Sequence, residues 1–222
     1  VIDSVPAGAG APEGLRERKK RRTRRHITTV ATELFVERGF DQVTIAEVAA
    51  AAEVSVNTLY NYFEAKEDLV LPPEEVSGRR LADIVRAREA GRSAAAAVLG
   101  HLRQELLRRD RNLGLTEGFG RFLEMMRAAP TLVARLEGLA WQMTAALADV
   151  LAEETEAAPD DPLPRLVAAQ IGWVHAQVLG EIGRRTVTGE DPDAIAEAVL
   201  GFLDVIEGLL SERVLTYAIR EG

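Results

Sequence analysis

Apolar residues recur along this chain at intervals of three and four, and no stretch shows the strict alternation of a half-buried strand. The pattern begins near residue 14. Ile27, Val30, Ala31, Leu34 and Phe35 make one stripe, and Gly39 stands where a helix C-cap belongs. Thr44 followed by Glu47 predicts a capping box, opening a helix whose inward residues are Ile45, Val48, Ala49 and Ala52. Glu53 and Val54 form a turn, and Ser55 caps a short helix that buries Leu59 and Phe63. Many turns between two such helices use glycine where Glu53 stands, so Glu53 is expected to hold a left-handed conformation at a cost of about 1 kcal/mol. The spacing is that of a helix-turn-helix, with a small residue, Ala49, at the helix crossing.

A helical turn over 66–71 is stopped by Pro72 and Pro73. Helices are predicted over 74–90, 93–109, 116–128, 130–155, 163–187 and 192–217, with a turn at 112–114 and an acidic loop at 156–162. The expected fold is all-α, with about nine helices and short connections. A Pro-, Gly- and Ala-rich tail, 1–13, precedes a three-helix unit over 14–66 and a larger helical body over 67–222.

Composition narrows the chemistry. An apolar fraction of 47% in 222 residues is ample for a core, and the absence of cysteine excludes disulfides and thiolate metal sites. No apolar run approaches the ~20 residues a membrane-spanning helix needs, and no signal-peptide pattern is visible, so a cytoplasmic protein without a membrane partner is expected. The net charge of −8 hides an asymmetry: residues 15–25 hold 8 basic residues and one acid. That basic arm, Arg16 with Arg18, Lys19, Lys20, Arg21, Arg22, Arg24 and Arg25, precedes the helix-turn-helix, as in a nucleic-acid binder with a local contact surface. The bland alternative is a solvated helix face.

The stretch ATELFVERGFDQVTIAEVAAAAEVSVNTLYNYFEAKEDL resembles the N-terminal domain of the TetR family of bacterial transcription regulators. The likeness runs from about Arg18 to Leu71. It is carried by the Leu-Phe pair and Gly-Phe closing the first helix, Val-Thr-Ile opening the second, then Val-Ser, Thr-Leu-Tyr, Tyr-Phe and Lys-Glu. The segment NYFEAKEDLVLPP is also similar to an actinobacterial subgroup that binds acyl-CoA-like ligands. The Pro-Pro pair departs from the family pattern, in which the fourth helix continues unbroken.

The resemblance and the geometry of a groove-binding helix imply two sets of DNA contacts. Thr44, Ser55, Thr58, Tyr60, Tyr62 and Lys66 are expected at phosphates, with the basic arm adding salt-dependent affinity. Ala46, Val56, Asn57 and Asn61 are expected at base edges; asparagine pairs bidentately with adenine, and valine meets a thymine methyl. Helix-turn-helix proteins read paired half-sites as twofold dimers. A homodimer is therefore expected through the last two helices, along the strip Ala198, Gly201, Phe202, Val205 and Gly208, with Gly172, Gly180 and Gly183 offering similar close packing. A small-molecule effector is expected in the body, in a pocket lined by Phe119, Phe122, Met126, Trp141, Trp173, His175 and Gln177.

No cofactor, metal or catalytic residue is expected. The histidines lack metal-ligand spacing and no Gly-rich phosphate loop is present. The expected function is thus a ligand-responsive regulator of palindromic operators, most simply a repressor. The rivals are a ligand-independent DNA-binding structural protein and a carrier or enzyme using the body's cavity.

Overall fold

The computed structural model describes residues 15–71 and 77–221. The tail expected at 1–13 and the Pro72–Pro73 stop lie outside the described residues. Among those described, every regular element is helical: α1 (Leu15–Arg38), α2 (Ile45–Ala51), α3 (Val56–Tyr60), α4 (Arg80–Arg86), α5 (Ala94–Leu107), α6 (Phe119–Ala128), α7 (Pro130–Glu154), α8 (Leu163–Val187), α9 (Pro192–Leu209) and α10 (Glu212–Leu215). Short 3-10 turns join them at Phe40–Gln42, Lys66–Leu69 and Arg111–Leu113. Among the described residues no helix is long and apolar enough to cross a membrane.

Two apolar cores divide the chain. The first gathers Ile27, Ala31 and Phe35 of α1, Val48 and Ala49 of α2, and Leu59 and Phe63 at the end of α3. It also takes in Leu69, Val70 and Leu71, so the packing of this unit continues past residue 66. Met125, Met126, Ala129 and Leu132, at the corner between α6 and α7, complete it from the side of the body. The second core is the body itself, built from α4, α5, α7, α8 and α9. The corner is reinforced by Asp68, 4% exposed. Its carboxylate accepts from Ala65 N–H at 3.0 Å and from the Arg135 guanidinium of α7 at 3.0 Å. A buried carboxylate needs such partners to offset lost hydration.

Several elements end elsewhere than the apolar pattern predicts, each for a local reason. Of the helix expected over 74–90, residues 74–76 lie outside the described residues; the rest is helical over Arg80–Arg86 and ends where Arg88 turns inward. Its guanidinium grips both Glu154 oxygens, at 3.1 and 2.6 Å, and donates to the carbonyls of Val85, Arg92 and Ala218. α6 starts at Phe119 and not at 116, because Gly118 precedes it in a left-handed conformation, φ 78°. The last helix, expected to run to 217, stops at Leu209. Leu210 is extended, ψ 139°, and Ser211 opens α10. That break folds the chain end back across the α4–α5 loop, where Gly91 N–H donates to Arg220 O at 2.9 Å.

Candidate nucleic-acid interface

The helix-turn-helix forms as its sequence dictates. Thr44 Oγ1 accepts from Glu47 N–H at 3.2 Å, while Thr44 N–H donates to Glu47 Oε2 at 2.8 Å, closing the capping box. The Arg38 guanidinium holds Glu47 Oε1 at 2.7 Å. The bond from the Thr44 amide, followed by the Arg38 guanidinium, draws the Glu47 pKa down to about 2. Glu53 takes the left-handed conformation, φ 55°, between α2 and α3. Ser55 Oγ accepts from Thr58 N–H at 3.0 Å, capping α3, whose buried side is Leu59 at 0% exposure.

The opposite side of α3 is open. Val56, Asn57, Tyr60 and Asn61 are exposed, as is Ala46 on α2. The Ser55 and Thr58 hydroxyls lie 2.7 Å apart and share one hydrogen bond. Two hydroxyl protons serve that single bond, so one stays available to an outside acceptor. The Thr44 hydroxyl is engaged instead, donating to Glu47 Oε2 at 2.8 Å. The donors left at that helix end are the first backbone N–H groups of α2, which have no intrahelical acceptor.

The basic run is not a separate arm. It is the N-terminal half of α1, continuous with the helix that packs into the core. Arg16, Lys19, Lys20 and Thr23 line one open groove together with Thr58, Asn61 and Tyr62. The groove therefore carries cations along one wall and the polar end of α3 along the other. Arg18, Arg21, Arg22 and Arg25 are exposed around the same half-helix. Arg24 differs, because it shares the inward phase of Ile27, Ala31 and Phe35. Its guanidinium donates to Tyr62 O at 2.7 Å and covers the Phe63 ring at 4.8 Å, pinning the end of α3 to α1.

Tyr60 is 53% exposed, whereas Tyr62 is half-buried against the first core. Lys66 is also turned inward. Its ammonium donates to Phe40 O at 2.6 Å and sits over the Phe40 ring at 4.3 Å. Burial lowers its pKa, with the charges of Asp41, Glu67 and Glu47 opposing.

The residues expected to line an effector pocket are not brought together. Met126 belongs to the first core, and Phe119 and Phe122 pair at 5.3 Å in the cleft between α1 and α6, beside Val36 and Val70. Trp141 is 73% and Trp173 45% exposed. The reason is helical phase: α7 buries Met143, Leu147, Val150 and Leu151, and α8 buries Ile171, Val174, His175 and Val178, which turns both tryptophans outward. Gln177 is half-buried. Of the set, only His175 is buried in the body, where the charges of Arg80 and His101 act on it and Arg80 in turn pairs with Glu105. The sequence reading missed both; the available signal was a carboxylate set in the apolar stripe Val98, Leu99, Leu102 and Leu106 of α5.

On the far side of the body, α9 exposes Gly201, Val205, Gly208 and Leu209, with Ala198 half-buried. Phe202 packs partly on the subunit's own core. α8 exposes Leu166, Ala169, Trp173, Ala176 and Gly180 at three- and four-residue spacing. The glycines of α8 divide by neighbour. A Cβ on Gly172 would lie 2.5 Å from Thr144 Oγ1 of α7, and one on Gly183 3.2 Å from the Arg127 guanidinium of α6. Those two serve packing inside the subunit, and Gly180, with nothing within 4 Å, faces outward with Gly201 and Gly208. Among the described residues no cluster of three His, Asp or Glu is placed to hold a metal ion.

Comparison with known proteins agrees with this layout. The family model "Bacterial regulatory proteins, tetR family" matches residues 27–71, which span α1 from Ile27 to the end of the first core. The chain is 32% identical over 206 residues to the HTH-type transcriptional regulator TcmR of Streptomyces glaucescens, covering 90% of this chain and 88% of the relative. Among solved structures, NalD of Pseudomonas aeruginosa, the secondary repressor of the MexAB-OprM efflux pump, superposes with a TM-score of 0.56 at 18% identity. That match covers 87% of this chain and 99% of NalD. The SmeT–triclosan complex superposes with a TM-score of 0.54 at 15% identity, covering 90% of this chain and 98% of SmeT. The two structures share the fold, and the sequence relative is a transcription regulator. With an N-terminal family match and a relative similar over nearly its whole length, the chain belongs to the TetR family of bacterial transcription regulators.

Proposed function

We propose that this regulator is a homodimeric, effector-responsive repressor that reads a palindromic operator with α3 and the basic half of α1. The observation that carries the reading is the shared groove, in which Arg16, Lys19 and Lys20 face Thr58, Asn61 and Tyr62. A phosphate strand lying there meets cations on one side while the exposed end of α3 enters the major groove beside it. Asn57, Asn61 and Val56 then reach base edges, and Ala46 approaches from α2. Tyr60, Ser55, Thr58 and the helix end at Thr44 serve phosphates. Lys66 and Tyr62 contribute by shaping the turn after α3, with Lys66 reaching a phosphate through the ammonium protons that Phe40 does not take.

Two helices from each subunit, α8 and α9, are the proposed dimer face. Their outward strips of small and apolar residues are suited to close helix packing, and truncated glycine side chains permit it. Residues 15–71 act as the DNA-binding unit, and the body as the effector and dimerisation unit. An effector that binds better to a body geometry unfavourable for DNA shifts the population away from the operator, and DNA weakens effector binding by the same factor. Support for an effector comes from the likeness to SmeT, solved with triclosan; support for repression comes from the likeness to NalD, a repressor.

The test begins with a duplex selected from a random pool by the full-length protein. A compound library is then screened for loss of binding to that duplex. The reading expects at least one compound to weaken binding by about 5–150-fold, the usual range of such coupling. Affinity unchanged across a broad library would remove the effector from the account.

A further inference from the structure

Resting on the effector reading above, we propose that Arg80, Glu105 and His175 form the polar anchor of the effector site, and that the ligand they take is a neutral, hydroxylated apolar molecule. The three residues come from three helices, α4, α5 and α8; Arg80 pairs with Glu105, and the charge of Arg80 also reaches the buried His175. The Arg80 guanidinium donates to Glu105 Oε1, and His101 Nε2 lies 3.4 Å from the same oxygen. Glu105 Oε2 and Arg80 Nε are both buried, and neither has a hydrogen-bond partner. Glu105 itself is 8% exposed and His175 6%. Buried polar groups are nearly always paired, so an acceptor and a donor both left unpaired within one buried ion pair call for a guest.

Charge selects the class of that guest. Arg80 and Glu105 neutralise each other. Burial, then the positive charges of Arg80 and His101, push the His175 pKa down to about 4, so its ring is uncharged near neutral pH. A carboxylate ligand would meet the buried Glu105 carboxylate, and an ammonium ligand would meet the Arg80 guanidinium, each a like-charge contact at a largely buried pair. A hydroxyl avoids both penalties, because it donates to Glu105 Oε2 while accepting from Arg80 Nε–H. The neutral imidazole of His175 can donate to or accept from a second hydroxyl or carbonyl on the same molecule. The outer side of the cluster reaches solvent, since the Arg80 and His101 side chains are 31% and 41% exposed, which gives a ligand a way in.

The experiment measures binding of four probes of one shape to the full-length protein by calorimetry: 2-naphthol, naphthalene, 2-naphthoate and 2-naphthylmethylammonium. The expected result is 2-naphthol binding about 10-fold or more tighter than naphthalene, since a site built to pair a hydroxyl discriminates against its absence. Neither charged probe should exceed naphthalene. Glu105→Gln replaces the open acceptor with a donor, and Arg80→Lys keeps a cation for Glu105 but removes the Nε–H. Each should bring the naphthol-to-naphthalene ratio close to one while the melting temperature shows the chain still folded. Equal binding of naphthol and naphthalene to the wild type, or preference for a charged probe, overturns the proposal even where a variant fails to fold. If none of the probes binds while another compound still releases the selected duplex, the anchor is wrong and the effector reading stands. If no compound of any kind binds or releases DNA, both fall.

Discussion

At the scale of single residues, the proposed contacts on the exposed side of α3 separate affinity from specificity. Tyr60 presents one hydroxyl to solvent, and Asn61 is the exposed C-cap at the end of the helix. Tyr60→Phe should weaken binding to all duplexes by a similar factor, whereas Asn61→Ala should change which base is preferred, by about 1–3 kcal/mol at one position. Selection profiles of the two variants check this, and exchanged outcomes would reverse the assignment. Glu47 gives a second residue-level test. Its pKa falls from 4.5 to about 2 on folding, so its contribution to stability is complete above pH 4.5 and is lost as pH falls through 2. Wild type and Glu47→Gln should therefore differ in melting temperature near neutral pH and converge towards pH 2. A difference that persists unchanged in acid would show that the capping box, and not the charge, sets it. Lys66 shows what residue type alone does not tell: two aromatic faces and the Phe40 carbonyl draw its ammonium inward, so only the protons that Phe40 does not take are left for a phosphate.

Among elements, close contacts decide which helices are locked together. A Cβ on Gly120 would come within 2.7 Å of Thr186 O, a backbone atom that cannot move aside as a side-chain end can. Gly120→Ala should thus force α6 off α8 and lower stability by about 1–3 kcal/mol, measured by denaturant melts. An unchanged midpoint would mean that the two helices slide freely. Because α6 also carries Met125 and Met126 into the first core, the same substitution should loosen the junction between the two units. This junction was not legible from the sequence. Periodicity announces that Phe119, Phe122, Leu123 and Met126 share a face, but not whether that face meets the body or α1. The turn chemistry was legible: Thr44 with Glu47, Ser55 and Gly39 stand at element ends where their local hydrogen bonding requires them, and Glu53 holds its left-handed turn. The end of α9 was misread because Leu209 and Leu210 continue the apolar spacing, while the stop is made by Ser211 and by the chain end docking on the α4–α5 loop. Trp141 and Trp173 suggested a pocket by size alone; the phase of the buried residues around them, visible only once both helices are packed, turns them to the surface.

For the whole molecule, the proposed function rests on two copies holding two α3 helices at a fixed separation. Gly201 lies in the proposed dimer strip, and a side chain built there meets nothing within 4 Å in the subunit. Gly201→Trp should leave the subunit folded and still split the dimer, seen as a halved mass in light scattering. An intact dimer would move the interface elsewhere. The account then depends on how the dimer meets DNA. The most direct test is a footprint and binding stoichiometry of the wild type on its selected duplex, repeated across salt concentrations. The account predicts one dimer per duplex, protecting two inverted half-sites about one helical turn or a multiple of it apart. It also predicts an affinity that falls steeply with salt as the basic half of α1 releases counterions. Uniform coating without a selected sequence, or protection of a single half-site by one subunit, would contradict it.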